Sequence, residues 1–312
     1  MKLKLDFTVD KSHIDFTYHD SALLIGSCFS DEIGQHFKKN GFRAEINPFG
    51  TLFHPTAIAN VLKASVEEST DVSVYQREDL FFSWDAASKI YAFSEAELIQ
   101  EIIETRKKVR QQLLQARLLV VTFGTAWQYT HQTTNEVVGN CHKAPQDTFS
   151  KTLASVEDMH AHWKALIAGL KALNPSLEIV FTVSPVRHIK DGIVENNRSK
   201  ARLIELAHGL VENHQLHYFP SYEILIDELR DYRFYQPDLV HPSDEAVGYV
   251  WKAFVDYSVS RDTMEIMKER SRILSVLNHI SLHPESKADI EGKDKAKKEL
   301  ELFKGKYPEV DV

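Results

Sequence analysis

Short apolar runs recur along the chain at Ala22 to Ile25, Arg43 to Ile46, Leu118 to Phe123, Ile179 to Val183 and Leu216 to Phe219, each the length of a buried strand. Helical patterns lie between them. Ser94-Glu95-Ala96-Glu97 has the capping-box form and precedes Ile99, Ile102 and Ile103. Trp163, Leu166, Ile167 and Leu170 share one helix face, as do Leu203, Leu206, Ala207 and Leu210. Strand and helix alternate through most of the chain, which predicts an α/β fold: a three-layer α/β/α sandwich around a mostly parallel sheet of about five strands. Residues 70–95 and 128–140 are more polar and less regular, and Tyr75 to Phe93 reads as a hairpin inserted beside the main sheet. Beyond Tyr257 the character changes. Arg261 to His279 is helical, carrying Met264, Met267, Ile273 and Leu274, and Glu285 to Lys304 is almost entirely charged. The division is therefore an α/β domain over residues 1–257 and a charged helical tail over residues 258–312. That tail is either solvated or laid on the domain, and it is the candidate element for homo-oligomer formation.

Composition narrows the classes of function. A chain of 312 residues with 43% hydrophobic content can bury a large core. Its net charge of −8 argues against nucleic acid or an anionic membrane as partner, since such surfaces are gripped by clustered Lys and Arg. A small polar molecule is the expected partner. Met1 to Phe7 alternates polar and apolar residues and lacks a signal peptide's apolar stretch, and no apolar run is long enough to span a bilayer. Two cysteines, Cys28 and Cys141, are too few for a secreted disulfide framework, so a cytoplasmic location is expected.

The unusual residues fall where strands end. Gly26-Ser27-Cys28 follows the first strand, Asn47-Pro48-Phe49-Gly50 the second, Gly124-Thr125-Ala126-Trp127 the third and Ser184-Pro185-Val186-Arg187-His188 the fourth. Carboxyl ends of parallel strands line the ligand crevice of an open sheet, so these turns are expected to converge. After the first, Ser30 reads as a helix N-cap, Asp31 and Glu32 as the first turn, Ile33 and Phe37 as the buried face, and Gly41 as the stop. A nucleophile between strand end and helix N-terminus meets unpaired backbone N–H groups that can hold an oxyanion, and a field that lowers a thiol's pKa. The bland alternative is a tight turn with a small buried cysteine.

A second motif weighs against the bland alternative. Asp238-Leu239-Val240-His241 precedes Pro242 and an amphipathic helix carrying Val247, Val250, Trp251, Phe254 and Val255. Asp and His three apart on such a loop can share a hydrogen bond, the carboxylate setting the imidazole's tautomer and leaving His241 to act as a general base. A surface Asp capping the helix is the simpler account of that pattern taken alone.

Gly26-Ser27-Cys28-Phe29-Ser30 resembles the signature of the GSCFA family, with Ser30 where that signature has alanine. Asn47 to Thr51, Asn140-Cys141-His142-Lys143, Ser184 to His188, Tyr218 to Glu223, Asp227 to Tyr235 and Asp238 to Ser243 are similar to the same family, so the resemblance spans residues 20–255. The family, known from bacteria, is similar to SGNH hydrolases, which implies a flavodoxin-like strand order and an esterase or acyltransferase site. By position, Cys28 takes the place of the nucleophile, Ser27 the residue before it, Gly50 the second-block glycine, and Asp238 and His241 the catalytic Asp-x-x-His. The third block departs: Ala126 stands where an SGNH enzyme has an oxyanion-donating asparagine. Asn47, Asn140 or Thr125 are candidate substitutes, and Gly124 belongs to the same block.

The implied activity is ester hydrolysis or acyl transfer through Cys28 or Ser27 with His241 and Asp238, on a small polar substrate such as an O-acylated carbohydrate. The alternative is a ligand-binding relative that has lost turnover. No cofactor is expected. Fifteen histidines raise the question of zinc, yet no Cys-x-x-Cys or His-Glu-x-x-His spacing supports it. His142 and His188, with Lys143 and Arg187, are instead assigned to the crevice wall, and His13, His19, His160, His162, His208, His214 and His279 to the surface.

Overall fold

Each apolar run of the sequence becomes a strand of one parallel sheet. The computed structural model describes residue 5 and residues 7–214 and 216–312. Met1 to Lys4 and Asp6, which belong to the segment read above for a signal peptide, lie outside the described residues. Along the chain run β1 (Ser21–Gly26), α1 (Cys28–Lys39), β2 (Arg43–Ile46), α2 (Pro55–Val66), β3 (Val74–Arg77), β4 (Leu80–Ser83), α3 (Glu95–Gln115), β5 (Leu118–Phe123), β6 (Trp127–His131), β7 (Val137–Val138) and β8 (Phe149–Leu153). There follow α4 (Val156–Leu173), β9 (Glu178–Val183), α5 (Ile193–His214), β10 (His217–Tyr218), α6 (Ser221–Glu223), α7 (Asp244–Ser258), α8 (Arg261–Leu277) and α9 (Lys287–Lys306).

The main sheet has the order β10-β9-β5-β1-β2, all pairs parallel. Numbering only those strands gives 2-1-3-4-5, the flavodoxin-like order, with its switch point between β1 and β5. Alternate residues of the three inner strands feed two cores, whereas the edge strands β2 and β10, expected from the sequence to be buried, are half-buried or exposed throughout because a neighbour covers them on one side only. Leu23, Ile25, Leu119, Val121, Phe123, Ile179 and Phe181 pack with α2, α4 and α5 on one face. Ala22, Leu24, Leu118, Val120 and Val180 pack with α1 and α7 on the other. Burial on both faces explains why these strands read as continuous apolar runs.

Two small antiparallel sheets are added beside the layers. The hairpin β3–β4 begins one residue before the predicted Tyr75 to Phe93 segment and otherwise lies in it, whereas the sheet β7-β6-β8 occupies a stretch that carries no strand signal. Every residue of β6 is half-buried, so no alternation marks it. Ser94 caps α3 as expected, its hydroxyl accepting from Glu97 N at 3.3 Å. The buried stripe of α3 is Leu98, Ile102, Arg106, Val109 and Leu113, with Ile99 and Ile103 on its shoulder.

The C-terminal helices lie on the α1 side. Ile273, Phe303 and Val310 join the core that holds α1 and α7. Arg270 donates to Lys39 O and to Asp311 O, each at 3.0 Å, placing a cation against the carbonyl end of α1. Two of the histidines assigned to the surface differ: His160 and His214 are half-buried and stack with ring centroids 6.3 Å apart. Among the described residues, no helix is long and apolar enough to cross a membrane.

Candidate functional site

The turn after β1 is built by close approach. Gly26 has φ +139°, and a Cβ there would sit 2.1 Å from Thr122 O on β5. Only glycine lets the two strand ends come this close. Gly26 N donates to Asn47 Oδ1 at 2.8 Å, and Asn47 Nδ2 donates to Asp31 Oδ1 at 2.9 Å. Asn47, in the left-handed region with φ +44°, thus ties the ends of β1 and β2 to the first turn of α1. Its side chain braces the turn.

The helix starts earlier than the sequence suggests. Ser27, not Ser30, is the N-cap of α1, its Oγ accepting from Phe29 N at 3.3 Å. Ser30 lies inside the helix and donates to Thr122 Oγ1 at 2.8 Å. Ser27 is 1% exposed, whereas Cys28, the first helical residue, is half-buried with its thiol free. The expected lowering of the thiol pKa is not found. Burial pushes the Cys28 thiol up, the Asp31 carboxylate pushes it further, and the pull of Lys200 and of the residue's own backbone N–H does not compensate. At neutral pH the thiol keeps its proton, so a base must remove it.

Far along the sequence an aspartate and a histidine form a hydrogen-bonded pair. His241 Nδ1 and Asp238 Oδ2 are 2.6 Å apart, and Asp238 Oδ1 accepts from Val240 N at 2.9 Å and His241 N at 3.0 Å. These bonds hold the Asp238 carboxyl down to about 2. Asp238 caps its own turn; α7 is capped by Ser243. Leu239 within the turn has φ +59°, a strained conformation for a leucine. The turn is docked on the loop after β9, with Arg187 N donating to Val240 O at 3.3 Å and the Arg187 guanidinium to Leu239 O at 3.1 Å. Arg187 in turn lies 4.2 Å from the Tyr235 ring centroid. Among the described residues no hydrogen bond joins His241 to the Cys28 thiol, and His241 is not among the groups that shift that thiol.

A further residue, which no sequence motif marks, ties the ends of β5 and β9. Lys200 on α5 is 2% exposed and donates to Gly124 O at 2.8 Å and Ser184 O at 2.7 Å, strapping the β5 and β9 turns together. Burial lowers its pKa to about 7, and Cys28 pulls it back up. The signal was present: Asn196, Ser199, Lys200, Leu203, Leu206, Ala207 and Leu210 form one buried stripe, so the lysine occupies a core-facing position.

The other predicted residues divide. Gly50 has φ +73° and closes a turn with its N–H on Asn47 O at 2.7 Å. Gly124 N and Thr125 N both donate to Phe53 O, at 2.9 and 3.1 Å, and the Thr125 hydroxyl lies 3.1 Å from Ser199 Oγ. None of these N–H groups is open to an oxyanion. Asn140 lines the cleft described below, as does Lys143, whereas His142 is packed into the added sheets. Asn140 Oδ1 accepts from Ser88 Oγ and His142 N, and His142, stacked on Phe82, spends its ring nitrogens on Ser88 Oγ at 2.9 Å and Ser83 O at 2.7 Å. Burial lowers His142 to about 4, so it is a neutral core histidine. His188 lies near Lys200, its pKa lowered by burial and by that ammonium, and with Phe53, Thr125, Trp127, Lys151 and Cys141 it lines a cleft of about 690 Å³. Among the described residues, no cluster of His, Cys, Asp and Glu could hold a metal ion.

A family model described as the GSCFA family matches residues 21–254. No curated relative matches the sequence. Among solved structures, the chain is similar to a carbohydrate esterase family 3 protein from Talaromyces cellulolyticus, at 6% identity and a TM-score of 0.37, covering 80% of this chain and 99% of that one. It is also similar to an acetyl esterase mutant with acetate ion, at 7% identity and a TM-score of 0.36, with the same 80% and 99% coverage. Likeness at this level leaves the chemistry to be argued from this chain's own side chains.

Proposed function

We propose that this chain, which belongs to the GSCFA family, is an ester hydrolase or acyl transferase that works through the Cys28 thiol on a small polar, O-acylated substrate, an acylated carbohydrate being the first candidate. The observation that carries the reading is the formed Asp238–His241 pair, 2.6 Å apart, in a strained turn tied to the carboxyl edge of the sheet. With Nδ1–H donated to the carboxylate, the His241 Nε2 lone pair is free to accept a proton. Cys28 is favoured over Ser27 because the Ser27 hydroxyl is buried and engaged as the α1 cap.

In this mechanism His241 takes the thiol proton and the sulfur attacks the acyl carbonyl. The tetrahedral intermediate expels the alcohol, which leaves with the proton from His241, and a thioester remains on Cys28. Water, or an acceptor hydroxyl, gives its proton to His241 and attacks the thioester, releasing the acid or the new ester and restoring the thiol.

The test is intact-protein mass spectrometry after exposure to p-nitrophenyl acetate. An acetyl adduct on wild type that disappears in Cys28→Ala and forms at least about 10²-fold more slowly in His241→Ala is expected. Equal labelling of wild type and His241→Ala removes the base from the mechanism. A second reading, a ligand-binding protein without turnover, is favoured by one observation: the N–H groups of Gly50, Gly124 and Thr125 are all committed within the fold. Under that reading Cys28 accepts at most one acetyl group and never releases it.

A further inference from the structure

The third block of the site lacks an amide side chain at Ala126, yet a positive group stands at the same turn. Lys200 reaches Gly124 O from α5, a helix on the opposite face of the sheet from α1 and Cys28. An ammonium has three N–H donors. Two are taken by Gly124 O and Ser184 O, and among the described residues no carboxylate pairs with the charge. The Tyr222 ring lies 5.9 Å from Nζ, and the β5 end that Lys200 clamps at Gly124 O is the end that accepts Ser27 N at Thr122 O, 3.1 Å away; Cys28 and His188 both respond to its charge. A buried lysine with no counter-ion costs stability that an apolar residue of similar size would not. A negative charge that appears only during a reaction would offset that cost.

We propose that Lys200 is the oxyanion donor of this site: clamped by the Gly124 and Ser184 carbonyls, its third N–H and its charge stabilise the oxygen that becomes negative when Cys28 attacks an acyl carbonyl. The inference rests on the acyl-transfer reading above. When the C–S bond forms, the carbonyl π pair moves to oxygen beside the ammonium; when the intermediate collapses, that pair re-forms the C=O bond and the alcohol departs. No proton moves to or from Lys200. The donor acts through fixed charge in a water-poor setting, where such a contact is strongest.

Lys200 and Cys28 act on each other electrostatically, Lys200 also acts on His188 in the turn after β9, and the Tyr222 ring of α6 lies 5.9 Å from Nζ; Asp31 and Glu32 bear on the thiol as well, and Asp191, Lys151 and Lys190 on His188. Burial keeps His188 neutral by lowering its pKa and Tyr222 neutral by raising its own. Lys200 sits at about 7, so it is an ammonium below that pH and loses its charge as the pH rises through it.

The test compares two reactions of the same sulfur. Acylation by p-nitrophenyl acetate builds an oxyanion, alkylation by iodoacetamide does not, and both need the thiolate, so their rate ratio cancels thiolate formation. In wild type the ratio is expected to fall as pH rises above about 7, approaching tenfold per unit. In Lys200→Met the acylation rate is expected to drop about 10²–10³-fold with alkylation within about threefold, and the ratio no longer changes with pH. Lys200→Arg, charged throughout, is expected to keep whatever ratio it has constant up to high pH. An equal loss of both reactions in a folded Lys200→Met, or no loss of either, overturns the proposal whatever the pH profile of wild type. Failure of wild type to acylate at all, while iodoacetamide still modifies Cys28, overturns the acyl-transfer reading and the role of Lys200 with it.

Discussion

The Gly26-Ser27-Cys28 turn and the Asp238 to His241 turn carry the two halves of the proposed chemistry, and they are held in opposite ways. The first is buried and depends on distant chain: Gly26 lies against Thr122, its N–H is bound by Asn47, and the thiol beside it answers to Lys200, all far away in sequence. The second is half-exposed and almost self-contained, with one carboxylate binding two N–H groups and an imidazole within three residues. The contrast teaches that a base can be preformed by local hydrogen bonds, whereas a nucleophile's reactivity is set by whatever the fold packs around it. Here burial and Asp31 keep the thiol protonated, so the exposed turn has a task that the buried turn cannot perform alone.

The comparison can be broken most sharply at Asp238. Asp238→Asn leaves the packing untouched and is expected to lower acylation by about 10²–10⁴-fold while the Tm stays within about 2 °C. A large drop in Tm would show that the outer turn is not self-contained. The sign of its pH dependence also follows: a carboxyl held at about 2 in the folded chain stays charged above that pH and releases His241 only as the pH falls through it. Gly26→Ala probes the inner turn. Its Cβ would meet backbone at 2.1 Å, so a loss of about 2–4 kcal/mol is expected in urea unfolding, and an unchanged midpoint would mean that β1 and β5 are not braced as described. The smallest effect belongs to Leu239→Gly, which relieves the φ of +59°. It is expected to alter stability by no more than about 1 kcal/mol in urea unfolding, and a larger loss would tie the outer turn to the core.

The inner strands β1, β5 and β9 are legible because they are apolar on both faces, and a short run of such residues has few other uses. The β7-β6-β8 sheet is not, since Trp127 to His131 is half-buried throughout and matches no period. The α1 cap was misread by three residues because Ser27 and Ser30 are equally good N-caps in isolation; the approach of Thr122, which takes the Ser30 hydroxyl, distinguishes them. Lys200 went unread because a lysine near a helix start is normally solvated, and only its place on the stripe with Leu203 and Leu210 betrays burial.

The sequence by itself determined the inner strands and the helices between them, the family resemblance and the Asp238–His241 pair, because all of these depend on neighbours a few residues apart: a strand's period, a helix's face, a turn's hydrogen bonds. Tertiary structure alone decided that Cys28 is a protonated thiol, that Ser27 is a cap, that the glycine N–H groups are already engaged and that a buried ammonium stands at the third block. Those properties come from desolvation and charge across the sheet. They have no value until residues 28, 124, 184 and 200 share one low-dielectric space.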